Sequence, residues 1–396
     1  MAQGLLSQLL RSQPIVAIDI GSCTIKAMEV VEKRDTVEVT AVGTIATPDG
    51  ALDNGVVVDK AAVSAAVADL LSSVGIQATT AATVVTDPSL VATRIQMPRS
   101  LQRTLHRSIR FEARKHVPFD IEQSLIECQV LDPHDRDSEQ MTVLLVAVRN
   151  EVVTSRVEAL EMARLDPVYV DVEQFASMRA YVYANLDPSV FTQTLALIRI
   201  GASFTEMTMV RNGAFVFPRI VPSAGMTMDR AIASALNVDV AEARALKEQR
   251  AVACRRDQVA ALDEASRQVS QIVAPALEEI ARDIQRSFIF LATQLSADPS
   301  SPCVDRVLLS GGAANMANIG PYLEGQLGVR VEIPNVFATT AIATQSLDSQ
   351  YLAQLAPCMS VAVGLALRGP IAANRYPFSG APTSDIVAPF AQEAAA

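Results

Sequence analysis

Apolar and polar residues alternate with two different periodicities along this chain. Val37–Ile45 begins with apolar and polar residues in alternation, which predicts a strand, whereas Asp59–Val74 carries alanine, valine and leucine at helical spacing, which predicts an amphipathic helix. Segments of these two kinds alternate to about residue 368. Because alternating strands and helices are typical of layered mixed structures, the pattern predicts an α/β fold.

One pattern occurs twice. Residues 14–31 predict a strand, a tight turn and a second strand, and Val37–Ile45 adds a third. Leu195–Val210 predicts the same strand, small-residue turn and strand, and Gly213–Pro218 adds a third there as well. Internal duplication of this kind indicates two lobes built on one plan.

The segment from about Val91 to Val148 differs from its surroundings. It predicts a strand, a helix at Gln102–Lys115 and two further strands, which together would form a small inserted subdomain. The predicted organisation is therefore a first lobe at 14–90 and 149–190, an inserted subdomain at 91–148, a second lobe at 191–368, and a disordered proline- and alanine-rich tail at 369–396.

The second half of the chain also predicts long helices. Val238–Glu248 and Val259–Leu295 have helical patterns, and Pro275 is expected to kink or split the second one. Asp305–Asn315 predicts a buried strand that runs into a glycine turn, and Ser360–Ala366 predicts a closing helix.

Composition narrows the class of protein. The 396 residues include 33 lysines and arginines against 43 aspartates and glutamates, a net charge of −10, which argues against a nucleic-acid binder. A local basic cluster on the predicted helix is interpreted as a solvated or partner-facing side. Its members are Arg99, Arg103, His106, Arg107, Arg110, Arg114 and Lys115.

Cysteine and histidine spacing gives no sign of a metal or disulfide framework. The five cysteines lie far apart without a CxxC pair, as expected for reduced thiols, and the three histidines form no ligand motif. The first thirteen residues lack a cleavable signal pattern, and no apolar run reaches the length of a membrane span. These features predict a cytoplasmic protein.

The turn of the first hairpin is a candidate phosphate site. Gly21 lets the chain turn closely around an anion, and the backbone N–H groups of residues 21–24 could cradle phosphate oxygens. Lys26 could add positive charge, and Asp19 could contact the water shell of a Mg²⁺ ion. The alternative is an ordinary hairpin with a polar turn.

Two later turns resemble the first. Gly201-Ala202-Ser203-Phe204-Thr205 offers a second turn of small residues half a chain later, and Gly311-Gly312-Ala313 follows a predicted buried strand, where backbone could approach a nucleoside. There is no GxxxxGK[ST] loop, so this is not a Walker A site. Three such turns in order favour a nucleotide site over three unrelated turns.

The order DIGSxT, IGAxxT and SGGAA resembles the superfamily of actin, sugar kinases and heat-shock chaperone ATPases. Within it, the chain is similar to the PilM family of actin-like type IV pilus assembly proteins. The resemblance covers about residues 14–368 and rests on VAIDIGSCTIKAMEV, FEARKHVPFDIEQSLIECQVLD, TVLLVAVRNEVV, LDPVYVDVEQFASMRA, FPRIVPSAGMTMDRAIA and AEARALKE.

The resemblance implies a two-lobed actin-like, ribonuclease-H-like fold with ATP and Mg²⁺ at the cleft between lobes. It implies binding of the N-terminal peptide of a PilN-like membrane protein in a groove beside the inserted subdomain. Through that partner the chain would join the inner-membrane platform and pilus motor proteins at the cytoplasmic face, with no direct membrane contact.

The family's functional positions carry over residue by residue. Glu173, after a predicted strand, matches an acidic residue that helps to orient the attacking water in related ATPases, although a carboxylate favoured by the helix dipole is an equal alternative. The implied nucleotide-binding residues are Asp19, Gly21, Ser22, Cys23, Thr24, Lys26, Gly201, Ala202, Thr205, Glu242, Lys247, Gly311, Gly312 and Ala313, with Asp19 also at the metal.

One departure from the family pattern concerns the second hairpin. Arg199 stands where the pattern has aspartate, so Asp19 would lack a partner carboxylate near the metal. An arginine can bind phosphate but cannot act as a base, which predicts slow or absent hydrolysis.

Two alternative functions remain open. The first is an FtsA-like membrane-associated filament protein, but the proline-broken tail would not supply the amphipathic membrane helix of that family. The second is a small-molecule kinase, which needs a carboxylate base, and the candidate Glu206 lies on a doubtful face of its strand.

Overall fold

The computed structural model describes residues 14–33, 36–132, 138–184, 187–255, 257–295, 303–339 and 341–368. The predictions for the first thirteen residues and for the tail at 369–396 lie outside the described residues. The chain divides into two compact units. Of the described residues, those before 187, those from 337 to 352 and those from 361 to 368 form the first unit, and those from 187 to 336 and from 353 to 360 form the second.

The strands are short to medium in length and alternate with helices along the chain. In chain order they are β1 (Ile15–Ile20), β2 (Thr24–Glu32), β3 (Val37–Ala46), β4 (Leu52–Asp53), β5 (Val56–Val57), β6 (Thr80–Val85), β7 (Val91–Pro98), β8 (Ser124–Val130), β9 (Gln140–Arg149), β10 (Asp166–Val172), β11 (Thr194–Ile200), β12 (Thr205–Arg211), β13 (Ala214–Val221), β14 (Arg306–Ser310), β15 (Arg330–Glu332) and β16 (Ile342–Ala343).

The α-helices lie between and after these strands. They are α1 (Lys60–Val74), α2 (Leu105–Ala113), α3 (Asn150–Met162), α4 (Glu173–Met178), α5 (Gly225–Leu236), α6 (Val240–Arg250), α7 (Glu264–Gln294), α8 (Ile319–Leu327), α9 (Ser349–Leu355) and α10 (Ser360–Ala366).

The main sheet of the first unit has the order β10-β6-β1-β2-β3-β16. Strands β1, β2 and β3 form an antiparallel meander, whereas β6 and β10 run parallel to β1. Residues of β1, such as Val16 and Ile18, pack with Val63 and Val67 of α1 and with Leu160 of α3. Because β1, β6 and β10 are parallel, their carboxyl ends meet at one edge of the sheet, where ligands usually bind in open α/β sheets.

The sheet of the second unit repeats this plan. Its order is β13-β12-β11-β14-β15, with an antiparallel meander from β11 to β13 and with β14 parallel to β11. Its core joins residues of the sheet, such as Ile198, to Met228 of α5 and to Leu277 and Ile280 of α7. The duplicated hairpins predicted from the sequence are therefore present, and each begins its own sheet.

A third, three-stranded sheet lies in the first unit with the order β7-β9-β8, all antiparallel. Alternation gives it two distinct faces. Met141, Val143 and Leu145 of β9 pack against Leu105 and Ile109 of α2 in a separate small core. The residues between them on β9 point to the opposite face.

Three helices differ from the sequence prediction. Helix α2 is shorter than predicted at both ends, and a 3₁₀ helix at Arg99–Thr104 replaces its first predicted residues. Helix α7 runs unbroken through Pro275, although the sequence predicts a kink or a split there. Helix α5 is absent from the sequence prediction: it has no side-chain cap, and its first turn is instead held by backbone contacts to a distant loop.

Candidate functional site

The turn between β1 and β2 is closed by its own backbone. The N–H of Gly21 donates to the carbonyl of Thr24 at 3.1 Å, and a β-carbon at position 21 would lie only 2.9 Å from that oxygen. The N–H of Gly21 is thus engaged within the turn, contrary to the prediction that it points toward a ligand. The exposed hydroxyls of Ser22 and Thr24 and the half-buried Cys23 follow it.

A buried ion pair lies beside this turn. Asp19 and Lys26 are directly opposite each other in the β1–β2 register, and Lys26 Nζ lies 2.9 Å from Asp19 Oδ2. The same ammonium donates to the Thr24 carbonyl at 3.3 Å and lies close to Gly21. The positive charge is therefore held at the turn, as a phosphate-binding lysine requires.

Two residues outside the predicted set fix the position of this turn. Thr47 Oγ1 donates to the Gly21 carbonyl at 2.6 Å, and its N–H donates to the Cys23 carbonyl at 3.0 Å. Arg156, which is only 2% exposed, donates to the carbonyl of Ile20 at 2.9 Å. An arginine on the otherwise buried face of α3 is the sequence signal that could have identified it.

The turn after β11 is built in the same way and is supported by a helix. The N–H of Gly201 donates to the Phe204 carbonyl at 3.0 Å. The N–H groups of Gly225 and Met226, at the start of α5, donate to the carbonyls of Gly201 at 3.0 Å and of Ala202 at 2.8 Å. The hydroxyl of Thr205 donates to the Ser223 carbonyl at 2.6 Å, so it holds the loop before α5 in place.

The ion pair at this second turn has its charges exchanged. Arg199 and Glu206 are opposite each other in the β11–β12 register, with Arg199 Nε 3.0 Å from Glu206 Oε2. The two side chains therefore share one face of the hairpin, which resolves the doubt left by the sequence about the face of Glu206.

Helix α6 contributes one of its two predicted residues to this region. Lys247 Nζ lies 2.6 Å from Asp229 Oδ1 and 3.3 Å from the Gly225 carbonyl, next to the start of α5. Glu242 is exposed in the first turn of α6, and its backbone N–H donates to the carboxylate of the N-cap residue Asp239. The structure thus brings Lys247 to the second turn and leaves the side chain of Glu242 exposed.

The glycine pair after β14 lies next to the second turn. Because β14 is parallel to β11, Gly311 follows one strand where Gly201 follows the other. Gly311 has a φ of +93°, and its N–H donates to the Pro357 carbonyl at 2.7 Å. Gly312 has open space around it, and Ala313 is buried at 8% exposure.

Glu173 begins α4 at the carboxyl edge of the first sheet. Its carboxylate accepts a hydrogen bond from the Thr86 hydroxyl, and only 1% of the residue is exposed. Thr86 follows β6 and Glu173 follows β10, so both lie at the edge where Gly21 follows β1. This location is compatible with either interpretation of Glu173.

A small cavity lies between the main sheet and the three-stranded sheet of the first unit. The second face of the three-stranded sheet supplies Leu125, Glu127, Val146 and Val148, and the opposite wall is also mostly apolar. The residues of that wall are Val85, Val153, Val170, Asp171 and Val172. Burial raises the pKa of Glu127, which weakens the preference of this carboxyl for its charged form.

A family model described as type IV pilus assembly protein PilM matches residues 17–370. The chain belongs to the PilM family. A chain of the PilM–PilN type IV pilus biogenesis complex is similar to it with 25% identity and a TM-score of 0.77, over 90% of this chain and 98% of that one.

Two more distant structures share the fold alone. The ethanolamine utilization protein EutJ of Carboxydothermus hydrogenoformans has 15% identity and a TM-score of 0.52 over 89% of both chains. MreB5 of Spiroplasma citri, bound to AMPPNP, has 14% identity and a TM-score of 0.50 over 92% of this chain and 98% of that one. The predicted family and the predicted actin-like fold are confirmed.

The side chains near the two turns of this PilM-family chain could contact a metal ion only through water, not as a set of direct ligands. Among the described residues, no group of three or more histidine, cysteine, aspartate or glutamate side chains could hold a metal ion. Asp19 is already paired with Lys26, and Arg199 occupies the corresponding strand position in the second hairpin. A Mg²⁺ ion carried by a ligand's own phosphates, with water between it and Asp19, is the arrangement these residues can accommodate.

The helices of the described part of the chain were compared with what a membrane span requires. None of its helices combines the length and the apolar character that crossing a bilayer requires.

Proposed function

We propose that this chain is an actin-like, ATP-binding scaffold of the type IV pilus inner-membrane platform, and that it binds the N-terminal peptide of a PilN-like membrane protein. The single observation that supports this most strongly is the similarity to a chain of the PilM–PilN type IV pilus biogenesis complex, which extends over 98% of that chain. The chain would meet the membrane and the pilus motor proteins from the cytoplasmic side, through such partners.

The nucleotide part of the proposal rests on the two hairpin turns. We assign phosphate contacts in the first unit to Ser22, Cys23 and Thr24 with Lys26, in a turn whose close bend depends on Gly21. The second unit would contribute its own turn, the cation of α6 and the adjacent glycine turn, which are Gly201, Ala202, Thr205, Lys247, Gly311, Gly312 and Ala313. Glu242 is the weakest of the assigned residues because its side chain is exposed.

Magnesium would supply positive charge to the β- and γ-phosphates, and Asp19 would contact its water shell. Hydrolysis is proposed to be slow or absent. Arg199 cannot accept a proton, and Glu206 opposite it is bound to that guanidinium. A kinase mechanism needs a carboxylate free to act as a base, so the geometry does not favour that alternative. No observation in the described residues favours an FtsA-like filament.

Asp19→Asn tests the nucleotide assignment. We expect it to weaken ATP binding about tenfold in the presence of magnesium and less in EDTA, because a charged hydrogen bond to the ion's water shell is lost. Isothermal calorimetry measures both affinities. The matched control is Asp166→Asn, since Asp166 is exposed at the start of β10, the opposite edge of the same sheet. Equal magnesium-dependent affinities for the two variants would count against the assignment.

The peptide assignment places the partner beside the apolar cavity of the first unit. Leu125→Arg puts a charge on its apolar wall, and we expect a peptide of the first residues of the PilN-like partner to bind at least about tenfold more weakly. Fluorescence anisotropy with a labelled peptide measures this. The control is Gln96→Arg on β7 of the same sheet, where the residue is exposed and does not line the cavity. Undiminished binding to the Leu125 variant would place the peptide elsewhere.

A further inference from the structure

Helix α2 and the residues that flank it present a charged side to solvent. The apolar residues Leu105, Ile109 and Ala113 are buried in the small core under the helix. The residues on the opposite side, three and four positions apart, are exposed. The members of this side, which we call the arginine face, are Arg103, Arg107, Arg110, Phe111 and Arg114. Four guanidinium groups and one aromatic ring therefore share one surface.

The charge of the arginine face is only weakly neutralised within the chain. Arg103 and Arg107 are exposed, and neither has an ion pair or a hydrogen bond within the part of the chain that the structure describes. Arg110 and Arg114 share one carboxylate, that of Glu122, at 3.4 and 3.5 Å. The side chain of Glu122 is 70% exposed, so water and salt screen both contacts. One acid among four arginines leaves a surface of net positive charge.

The stability of α2 does not explain where these residues lie. Arg103 precedes the helix and Arg107 is in its first turn, where the helix dipole disfavours cations and favours acids. The first turn has no acidic residue, and Thr104 makes no side-chain cap. Phe111 is 67% exposed, so its ring gains little from burial. Residues that lower stability, or add none, at their positions are typical of a surface kept for binding.

The arginine face is separate from the cavity assigned to the PilN-like peptide. Met141 and Val143 of β9 pack in the core with α2, whereas Val146 and Val148 of the same strand line the cavity. Because alternate residues of a strand point to opposite faces, the three-stranded sheet lies between the two surfaces. A ligand on the arginine face therefore does not compete for space with a peptide at the cavity.

We propose that the arginine face is a second docking surface, and that it binds an acidic polypeptide segment that places an apolar side chain on Phe111. The fork of a guanidinium matches the two oxygens of a carboxylate, and arginines beside an aromatic ring are typical of the centre of a protein interface. The net charge of the whole chain, −10, favours such a narrow partner. A broad anionic surface such as a bilayer would also meet the acidic remainder of the chain, which would repel it.

A synthetic acidic peptide tests this assignment by fluorescence anisotropy. The probe is a labelled peptide of glutamates with a single leucine at its centre, and we expect it to bind the unaltered chain with a Kd below about 1 mM at low salt. Added salt should weaken the binding, because the contacts are between exposed charges. Arg103→Glu combined with Arg107→Glu should weaken it at least about tenfold, since attraction becomes repulsion. Phe111→Ala should weaken it about threefold or more, because the apolar anchor is lost.

A stability measurement separates a binding role from a structural one. Arg103→Glu combined with Arg107→Glu is expected to raise the urea midpoint of the first unit, since acids suit the start of a helix. The variant should therefore lose peptide binding while its fold becomes more stable. The matched control is Arg211→Glu combined with Arg230→Glu, at two exposed arginines of the second unit. It changes the net charge of the chain by the same amount and should leave peptide binding unchanged.

Other results would overturn the proposal. They are no binding of the peptide below about 1 mM, equal binding to the Arg103 and Arg107 double variant, or an equal loss in the control variant. Co-sedimentation with vesicles of phosphatidylethanolamine and phosphatidylglycerol that the double variant loses would assign the face to a membrane. Self-association in analytical ultracentrifugation that the same variant loses would assign it to a second copy of the chain. None of these outcomes affects the peptide proposed at the cavity, which Leu125→Arg tests separately.

Discussion

Gly311→Ala is expected to destabilise the second unit by about 3 kcal/mol, since it adds backbone strain to a steric conflict. Gly311 has φ +93° and ψ 171°, a conformation open essentially to glycine alone. A β-carbon there would lie 2.7 Å from the carbonyl carbon of Ile200 and 2.9 Å from its nitrogen, and closer still to its oxygen. Backbone atoms of a central strand cannot move aside as a flexible side chain would.

The same substitution should also displace the candidate phosphate-binding turn at Gly201. Ile200 immediately precedes Gly201, so a displaced β11 end would shift the turn and weaken ATP binding in addition to stability. Urea denaturation followed by circular dichroism measures the first effect, and calorimetry measures the second.

Gly312→Ala is the matched control for this prediction. Position 312 has no atom within 4 Å of an added β-carbon, so we expect a change in stability of less than about 0.5 kcal/mol, as for most open surface sites. If the two alanine variants unfold at the same urea concentration, the close approach of Gly311 to β11 is wrong.

The elements that the sequence predicts well are those whose signal is local. The β1–β2 and β11–β12 hairpins have apolar strands around a turn of small residues, and both were expected within one or two residues of their bounds. Periodicity also predicts α1, whose end at Gly75 has the left-handed conformation typical of a helix C-terminus. The duplication follows from these local signals because it needs only their order.

The parts of the site that the sequence does not predict depend on residues far apart in the chain. Helix α5 lacks a capping side chain, and backbone bonds to a turn 24 residues earlier hold its start. Arg156 lies 136 residues from Ile20, whose carbonyl it binds, so no window of sequence connects them. These contacts exist only once the sheets have formed.

The charge order of the Arg199–Glu206 ion pair is predicted only in part from the sequence. The sequence shows that Arg199 replaces an expected acid, but the replacement alone suggests a lost function. The strand register supplies the missing fact, because it places Glu206 directly opposite and makes the change an exchange of charge. A substitution at one strand position therefore cannot be interpreted before its cross-strand partner is known.

Gly364→Ala is expected to have the largest effect on the first unit, a loss of more than about 3 kcal/mol, at or beyond the usual range for overpacking. A β-carbon at position 364 would lie 2.9 Å from the Cα of Ala176 and closer still to its carbonyl carbon and oxygen. Helices α10 and α4 therefore pack backbone against backbone here. The contact is reinforced by Arg179 Nε, which donates to the Gly364 carbonyl at 2.9 Å.

An added methyl group would have to separate these two helices, and Glu173 begins one of them. We therefore expect Gly364→Ala to lower the urea midpoint of the first unit and to displace Glu173 from Thr86. Amide hydrogen exchange of residues 173–178 reports on the second change, because a helix that loses its packing opens more often.

Gly325→Ala in α8 provides a control of opposite sign. It makes the same substitution inside a helix, but no atom lies within 4 Å of the new β-carbon, so the helix propensity of alanine should stabilise the second unit by about 0.5–1 kcal/mol. A Gly364 variant that unfolds like the unaltered chain would mean that α10 does not pack on α4 in this way. The position of Glu173 would then need another support.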